Sequence, residues 1–382
     1  MNIELSDKEL ALLFLHLPSV GPSSYWKFRE HYSSYAHAIL DSERDYRQLF
    51  CEAAREPLND LAKNGRNSKI YQSLCVQQAQ AEELGIQLIC HSDSDYPGLL
   101  REIKRAPSLL FVKGNRGALN LPQIAIVGSR RPSAQGKGNA LKFSRALSES
   151  GFVVTSGLAL GVDALAHEGA IKAQGKTIGV LGCGLDKIYP ASNRALSESL
   201  LETGGALVSE FLLGTSPKPQ NFPQRNRIIS GMSCGTLVVE AAVRSGSLIT
   251  ARYALQQNRD VFAIPGSIHN PLARGCHAMI KEGAVLVETA QDIVSELGSL
   301  LGFHQQSLDL NTNEHDSKIQ AEEALSLNED ELEVIDAMGF DSIEFDSLAL
   351  KTSFKSSDLM RILMNLEIKG LINDSGQGYM RV

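Results

Sequence analysis

Five runs of small and polar residues, each beside a short apolar stretch, carry residue types that suit phosphate. The first is Gly128-Ser129-Arg130-Arg131-Pro132-Ser133-Ala134-Gln135-Gly136-Lys137, between QIAIV (123–127) and a helix-length stretch. Backbone N–H groups at a helix start attract anions. Arg130 adds a planar, permanently charged fork. Gly128, Ser129 and Arg130 therefore form a phosphate site by position and by chemistry, with Lys137 a cation nearby. The second run is Ser156-Gly157-Leu158-Ala159-Leu160-Gly161-Val162-Asp163, in which Asp163 suits a helix cap. The third, Gly182-Cys183-Gly184-Leu185-Asp186-Lys187-Ile188-Tyr189-Pro190, brings Lys187 and then Arg194 as further cations. The fourth holds Arg225, Asn226 and Arg227 after Phe222. On a helix, positions i and i+2 splay apart, so both arginines reach one ligand only near a helix start or in a loop. The fifth is Arg244-Ser245-Gly246-Ser247, another helix-start anion site. Five such turns on one sheet imply a long polar groove, which suits a polyanion better than a mononucleotide.

The spacings exclude two common nucleotide motifs. No G-x-x-x-x-G-K-[ST] is present, so a Walker-type ATPase is not expected. No G-x-G-x-x-G is present either, and the second strand ends in Thr155-Ser156-Gly157 rather than in a carboxylate for a ribose. Asp163 and His167 lie one helical turn apart, but no third metal ligand is evident, so a polar-network pair is favoured. Cys183 has no positioned base and reads as a buried thiol. Cys276-His277 are adjacent, and neighbours in sequence seldom aim at one point. No catalytic residue, metal site or cofactor is expected.

The turns need a sheet to position them. QIAIV (123–127), FVVT (152–155), TIGVLG (177–182), ALVSE (206–210), TLVVE (236–240), VFAIP (261–265) and AVLV (284–287) alternate with helix-length stretches. That alternation implies an α/β doubly wound parallel sheet, buried on both faces. Charge follows the same division. Residues 120–287 hold 17 Lys+Arg and 10 Asp+Glu, net +7; residues 1–119 are net −1 and residues 288–382 net −13. The middle is the anion binder of an otherwise acidic chain.

The flanks differ from the middle. Residues 7–16, 22–40 and 70–84 read as helices, so 1–85 is a helical domain, and 86–119 is a connection that can add strands. LPSVGP (17–22) reads as a structural turn, with a DNA-contacting hairpin the alternative; Tyr25 and Trp26 read as core. The α/β domain spans 86–300, and residues 301–328 have a polar linker composition. Residues 329–382 read as three helices and a hairpin around 375–378, a winged-helix pattern. They hold 11 acidic and 5 basic residues, which disfavours DNA and favours a protein-interaction or regulatory role. No apolar run reaches the roughly 18 residues a membrane span needs. MNIELSDKEL lacks an apolar signal core, and the 6 Cys form no C-x-x-C pair, so a cytoplasmic protein with reduced thiols is expected.

Taken in order, VGSRRPSAQG, SGLALGVDALAH, GLDKIYPASN, FPQRNRIISG, VVEAAVRSGSLITA and VFAIPGS strongly resemble the DNA-processing protein A family, DprA or Smf. The resemblance runs from about residue 85 to 290. It implies an extended Rossmann-like core, a sterile-alpha-motif-like (SAM-like) helical domain before it and a winged-helix domain after it. It further implies a non-enzymatic homodimer that binds single-stranded DNA and loads the RecA recombinase during natural transformation. By likeness, Gly128, Ser129 and Arg130 hold a backbone phosphate, and Ser156, Gly157, Arg225, Asn226, Arg227, Ser245, Gly246 and Ser247 line the same pocket. Lys137, Lys187 and Arg194 are added on charge alone. Ala191 stands where some members carry a lysine. The alternative is a nucleotide-processing, phosphoribohydrolase-like enzyme, for which Gly235-Thr236 and Glu240 offer a partial motif with Glu240 one residue late.

Overall fold

The computed structural model describes residues 4–40, 46–301, 328–339, 343–352, 354–368, 371–374 and 378–381. Five helices open the chain: α1 Asp7–His16, α2 Pro22–His31, α3 Tyr35–Leu40, α4 Glu52–Asn64 and α5 Lys69–Glu83. The single helix expected over 22–40 is broken in two. Arg29 donates to the Ser33 carbonyl, and the Ser34 hydroxyl accepts the His37 N–H. Serine side chains compete for backbone groups in this way and start helices rather than continue them. The α4 helix was not legible, because Pro57 sits inside it. Ser6 and Glu9 form a capping box at α1.

These helices share their hydrophobic core with the sheet. Leu10, Phe14 and Phe28 belong to one buried cluster with Leu109, Phe111 and Leu185. Phe14 meets Tyr25 and Phe28 edge-on at 5.2 Å each. Such pairs add about 0.5–1.5 kcal/mol beyond area burial. Tyr25 is buried, and the Trp26 indole donates to the Ala106 carbonyl at 2.9 Å.

The sheet elements follow in chain order: β1 Ile86–Cys90, α6 Gly98–Arg101, β2 Leu109–Gly114, β3 Gln123–Val127, α7 Ala134–Glu149, β4 Val153–Ser156, α8 Val162–Lys172, β5 Thr177–Val180, α9 Arg194–Glu202 and β6 Ala206–Ser209. Then come α10 Asn221–Met232, β7 Gly235–Val238, α11 Ser247–Gln256, β8 Asp260–Ala263, α12 Arg274–Lys281, β9 Val285–Leu286 and α13 Ala290–Leu301. Strand order is β1-β2-β6-β5-β4-β3-β7-β8-β9. The seven expected strands are parallel, and the connecting segment adds β1 and β2 antiparallel at one edge. Side chains alternate faces with period two. Ile124 and Ile126 therefore enter one buried cluster, and Ala125 and Val127 another. After β3, one crossover leads to β4 on one side, while β7 pairs with β3 on the other. The β3–β7 boundary is thus the topological switch point, where ligands of open α/β sheets bind.

Two compact units result, Met1–Leu297 and Gly298–Val382. The second unit contains α14 Glu329–Met338, α15 Phe345–Lys351, α16 Ser356–Ile368, and the antiparallel strands β10 Ile372–Asp374 and β11 Tyr379–Arg381. Asn328 and Glu331 cap α14 reciprocally. Val334, Leu348, Leu359 and Leu363 are in its core, while Met360 and Met364 are 51% and 59% exposed on α16. Of the expected linker 301–328, residues 302–327 lie outside the described residues, as does the hairpin tip 375–377.

Candidate functional site

A cavity of about 470 Å³ opens at the switch point. Four of the five turns converge on it, the second through Ala159 and Asp163. Gly128, Ser129 and Arg130 come from the end of β3, Arg225 and Asn226 from α10, and Ser245, Gly246 and Ser247 from the start of α11. The β3 turn comes close to its neighbours. A Cβ at Gly128 would lie 2.7 Å from the Val162 side chain and 3.0 Å from the Glu240 carbonyl. The Ser245 and Ser247 hydroxyls share a 2.7 Å hydrogen bond, and the Ser247 N–H donates to the Ser245 oxygen. Asn226 donates to the Gly246 carbonyl at 3.4 Å, tying α10 to that turn.

Arg225 is only 4% exposed. Its Nη1 donates to the carbonyls of Gly157 and Val180, and its Nε donates to Asn226. Asp163 accepts the N–H groups of Gly157 (3.1 Å) and Ala159. Burial lowers the Arg225 pKa to about 10, so the guanidinium keeps its charge at neutral pH. Burial raises Asp163, against the opposing pull of Arg225. Gly157 fits because a Cβ there would lie 2.6 Å from Arg225 Nη2. Arg225 thus lines the cavity while most of its donors are spent on the protein.

Arg227, expected in the same pocket, is not part of its lining. Two residues on, the helix has turned by about 200°. Arg227 is buried and pairs with Glu210, whose carboxyl is raised by burial against the arginine's attraction. Ser156 is also buried out of reach, donating to the Ile126 carbonyl at 2.6 Å. Gly157 is not in the lining and reaches the site through Arg225 and Asp163. Lys137, Lys187 and Arg194 are exposed and lie outside the cavity lining. Lys187 lies 3.9 Å from Asp186.

Sequence reasoning missed an aromatic shelf. Phe222 lines the cavity, Arg130 lies over its ring at 5.9 Å, and Tyr189 packs against it at 5.6 Å. Tyr189 is 48% exposed. The exposed aromatic in a Gly- and Pro-flanked turn was the available signal. Asn193 holds this turn by donating to the Leu158 and Ala159 carbonyls.

The remaining reactive side chains have structural partners. Glu240 accepts the Ser133 N–H at 2.9 Å and the Ser133 hydroxyl at 2.5 Å, and it is not in the cavity lining. His167 Nδ1 bonds Thr177 at 2.7 Å, away from the partners of Asp163, and burial lowers its pKa to about 3. Among the described residues, no three potential metal ligands cluster. Burial pushes the Cys183 and Cys276 thiols up to about 11. The Cys276 sulfur faces the Val238 and Val239 carbonyls, while His277 bonds the Gly266 backbone.

An extended Rossmann-like sheet with an arginine-bearing polar cavity at its switch point, and a separate winged-helix unit, define the class of protein. Residues 87–298 match the model of DNA recombination-mediator protein A, and residues 319–378 match the DprA winged helix domain. The chain belongs to the DNA recombination-mediator protein A family. It is 43% identical to Protein Smf of Escherichia coli over 292 residues, 76% of either chain. It is 48% identical to DNA processing protein DprA of Streptococcus pneumoniae over 204 residues, 53% of this chain and 72% of that one. The X-ray structure of the S. pneumoniae protein superposes with a TM-score of 0.61 at 36% identity, covering 77% of this chain and 99% of that one. A Helicobacter pylori DNA processing protein A, described for its single-stranded DNA binding mode, gives 0.51 at 29% identity over 57% of this chain and 98% of that one. The expected family, sheet and winged-helix unit are thus those observed. No helix among the described residues is long and apolar enough to cross a membrane.

Proposed function

We propose that this chain is a cytoplasmic recombination mediator that binds single-stranded DNA at the switch-point cavity without catalysis. As a homodimer it protects incoming strands and passes them to RecA during natural transformation. The observation that carries this reading is the convergence of Gly128–Arg130, Asn226 and the Ser245–Ser247 turn on one cavity. Backbone N–H groups, a serine pair and an exposed guanidinium suit a phosphodiester. The Tyr189–Phe222 shelf beside them offers an apolar surface for a base. Family membership and the H. pylori relative support the same ligand. The carboxylate that a hydrolase would use, Glu240, is engaged by Ser133.

The test is fluorescence anisotropy of a labelled oligothymidine with wild type and Arg130→Ala, at low and moderate salt, with duplex competitor. Salt-sensitive binding that prefers single strands and weakens by about 1.5–3 kcal/mol in the variant is expected. No binding by wild type at low salt would discard the reading. Pull-down of RecA and analytical ultracentrifugation test the recombinase contact and the dimer.

A further inference from the structure

The start of α7 is where a doubly wound sheet ordinarily places the pyrophosphate of a bound nucleotide. Here that place is taken from within the chain. Glu240 lies two residues beyond β7, which pairs with β3 in the register Val127 to Val238. It is 6% exposed. One of its oxygens accepts the Ser133 N–H at 2.9 Å, and the other accepts the Ser133 hydroxyl at 2.5 Å. The same hydroxyl accepts the Gly136 N–H at 3.0 Å and so caps α7. Asn270 adds a longer contact of 3.4 Å. A Cβ at Gly136 would overlap the Glu240 carboxylate, so the first turn of the helix and the carboxylate are in direct contact.

An ordinary capping glutamate comes from the third position of its own helix. This one comes from a residue 107 positions away, just beyond the strand across the switch point. It presents two anionic oxygens to the N–H and hydroxyl of Ser133, the N-cap of α7, where a phosphate would sit. We propose that Glu240 is a built-in anion: it fills the phosphate position of α7, fixes the Gly128–Ser133 turn, and closes that position to mononucleotides and dinucleotides. Glu240 is a positioning and specificity-determining residue, since it does not line the cavity. The DNA part of this inference rests on the function proposed above. A ligand phosphate is diverted to the other side of the turn, where Ser129, Arg130, Asn226 and Ser247 converge. The Glu240 charge repels any phosphate that approaches α7 itself.

The test uses the full chain with Glu240→Ala and Glu240→Gln. Oligothymidine affinity is read by anisotropy, and inorganic pyrophosphate binding by calorimetry. Glu240→Ala is expected to lose about tenfold in DNA affinity, the cost of losing a charged hydrogen-bond partner. Formate in the tens of millimolar range should restore part of that loss by refilling the vacancy, whereas chloride at equal ionic strength should not. The same variant should gain one pyrophosphate site over wild type, read as added stoichiometry. A folded Glu240→Ala that binds DNA as wild type does, or that shows neither formate recovery nor an added pyrophosphate site, overturns the proposal. Pyrophosphate binding by wild type at the α7 start overturns it as well. Glu240→Gln keeps the volume but replaces one acceptor oxygen with an amide NH2 that faces a Ser133 donor, and serves where the alanine variant does not fold. A loss of about threefold or more in this variant supports the proposal, and unchanged affinity overturns it. If wild type binds no DNA at all, the DNA reading fails alone, and the pyrophosphate arm still decides the role of Glu240.

Discussion

Arg225 donates to the carbonyl of Gly157, a residue 68 positions earlier, while Asp163 accepts the N–H of the same glycine. Two oppositely charged, buried side chains thereby hold one backbone position at the end of β4. Their charges offset each other's burial, and each is costly without the other.

Arg225→Ala is expected to destabilise the first unit by about 3–5 kcal/mol, because it leaves Asp163 buried without its counter-charge. Adding Asp163→Asn should recover part of that loss. Urea unfolding of Arg225→Ala, Asp163→Asn and the double variant checks this. Strictly additive losses would show that the two residues act independently.

Gly157→Ala places a methyl group 2.6 Å from Arg225 Nη2. Overpacking of this kind costs about 1–3 kcal/mol and displaces the arginine from the cavity wall. Thermal unfolding and oligothymidine affinity should therefore fall together. A variant with wild-type stability would mean that the arginine relocates freely.

Acid should destabilise the protein through His167. Its pKa falls from 6.5 in the unfolded chain to about 3 on burial. Between those values the unfolded chain binds a proton that the folded protein does not. This contribution is complete above about pH 6.5 and is lost as pH falls toward 3, with a slope approaching about 1.4 kcal/mol per pH unit. Asp163 and Glu210, raised by burial, act in the opposite sense. The difference between wild type and His167→Gln isolates the histidine. Urea titrations across this range should show a flatter dependence in the variant, and parallel curves would remove His167 as the source.

Phe222→Leu removes the ring beneath Arg130 and beside Tyr189. An exposed cation–π contact contributes about 0.5–1 kcal/mol, so a several-fold loss of single-strand affinity is expected with little change in stability. Anisotropy at fixed salt reads it, and an unchanged affinity would separate the shelf from the DNA.

Residues 1–300 alone are expected to bind oligothymidine at least as tightly as the full chain. Residues 301–382 hold 6 Lys+Arg and 16 Asp+Glu, whose removal lowers repulsion toward phosphate. A large loss on truncation would assign the acidic segment a direct part in binding.

Local pattern was enough for the alternation of strands and helices, the turns at the strand ends and the three helices of the second unit. Val- and Ile-rich runs bounded by Gly and Ser read as strands from their own residues, and a capping pair such as Asn328 and Glu331 lies within one turn of chain. The Gly128–Arg130 turn was legible for the same reason: its chemistry is complete in consecutive residues.

What tertiary structure alone decided was which charged side chains face the cavity. Arg225 and Arg227 look alike in sequence, yet one lines the cavity with its donors engaged and the other is buried against Glu210. Glu240 reads as a partial catalytic motif until Ser133 is found holding it. Sequence types set which groups can be charged. Burial and partners distant in the chain set what those charges do, because a buried guanidinium or carboxylate goes where a compensating group exists. That place is fixed by the packing of strands whose neighbours are not neighbours in sequence.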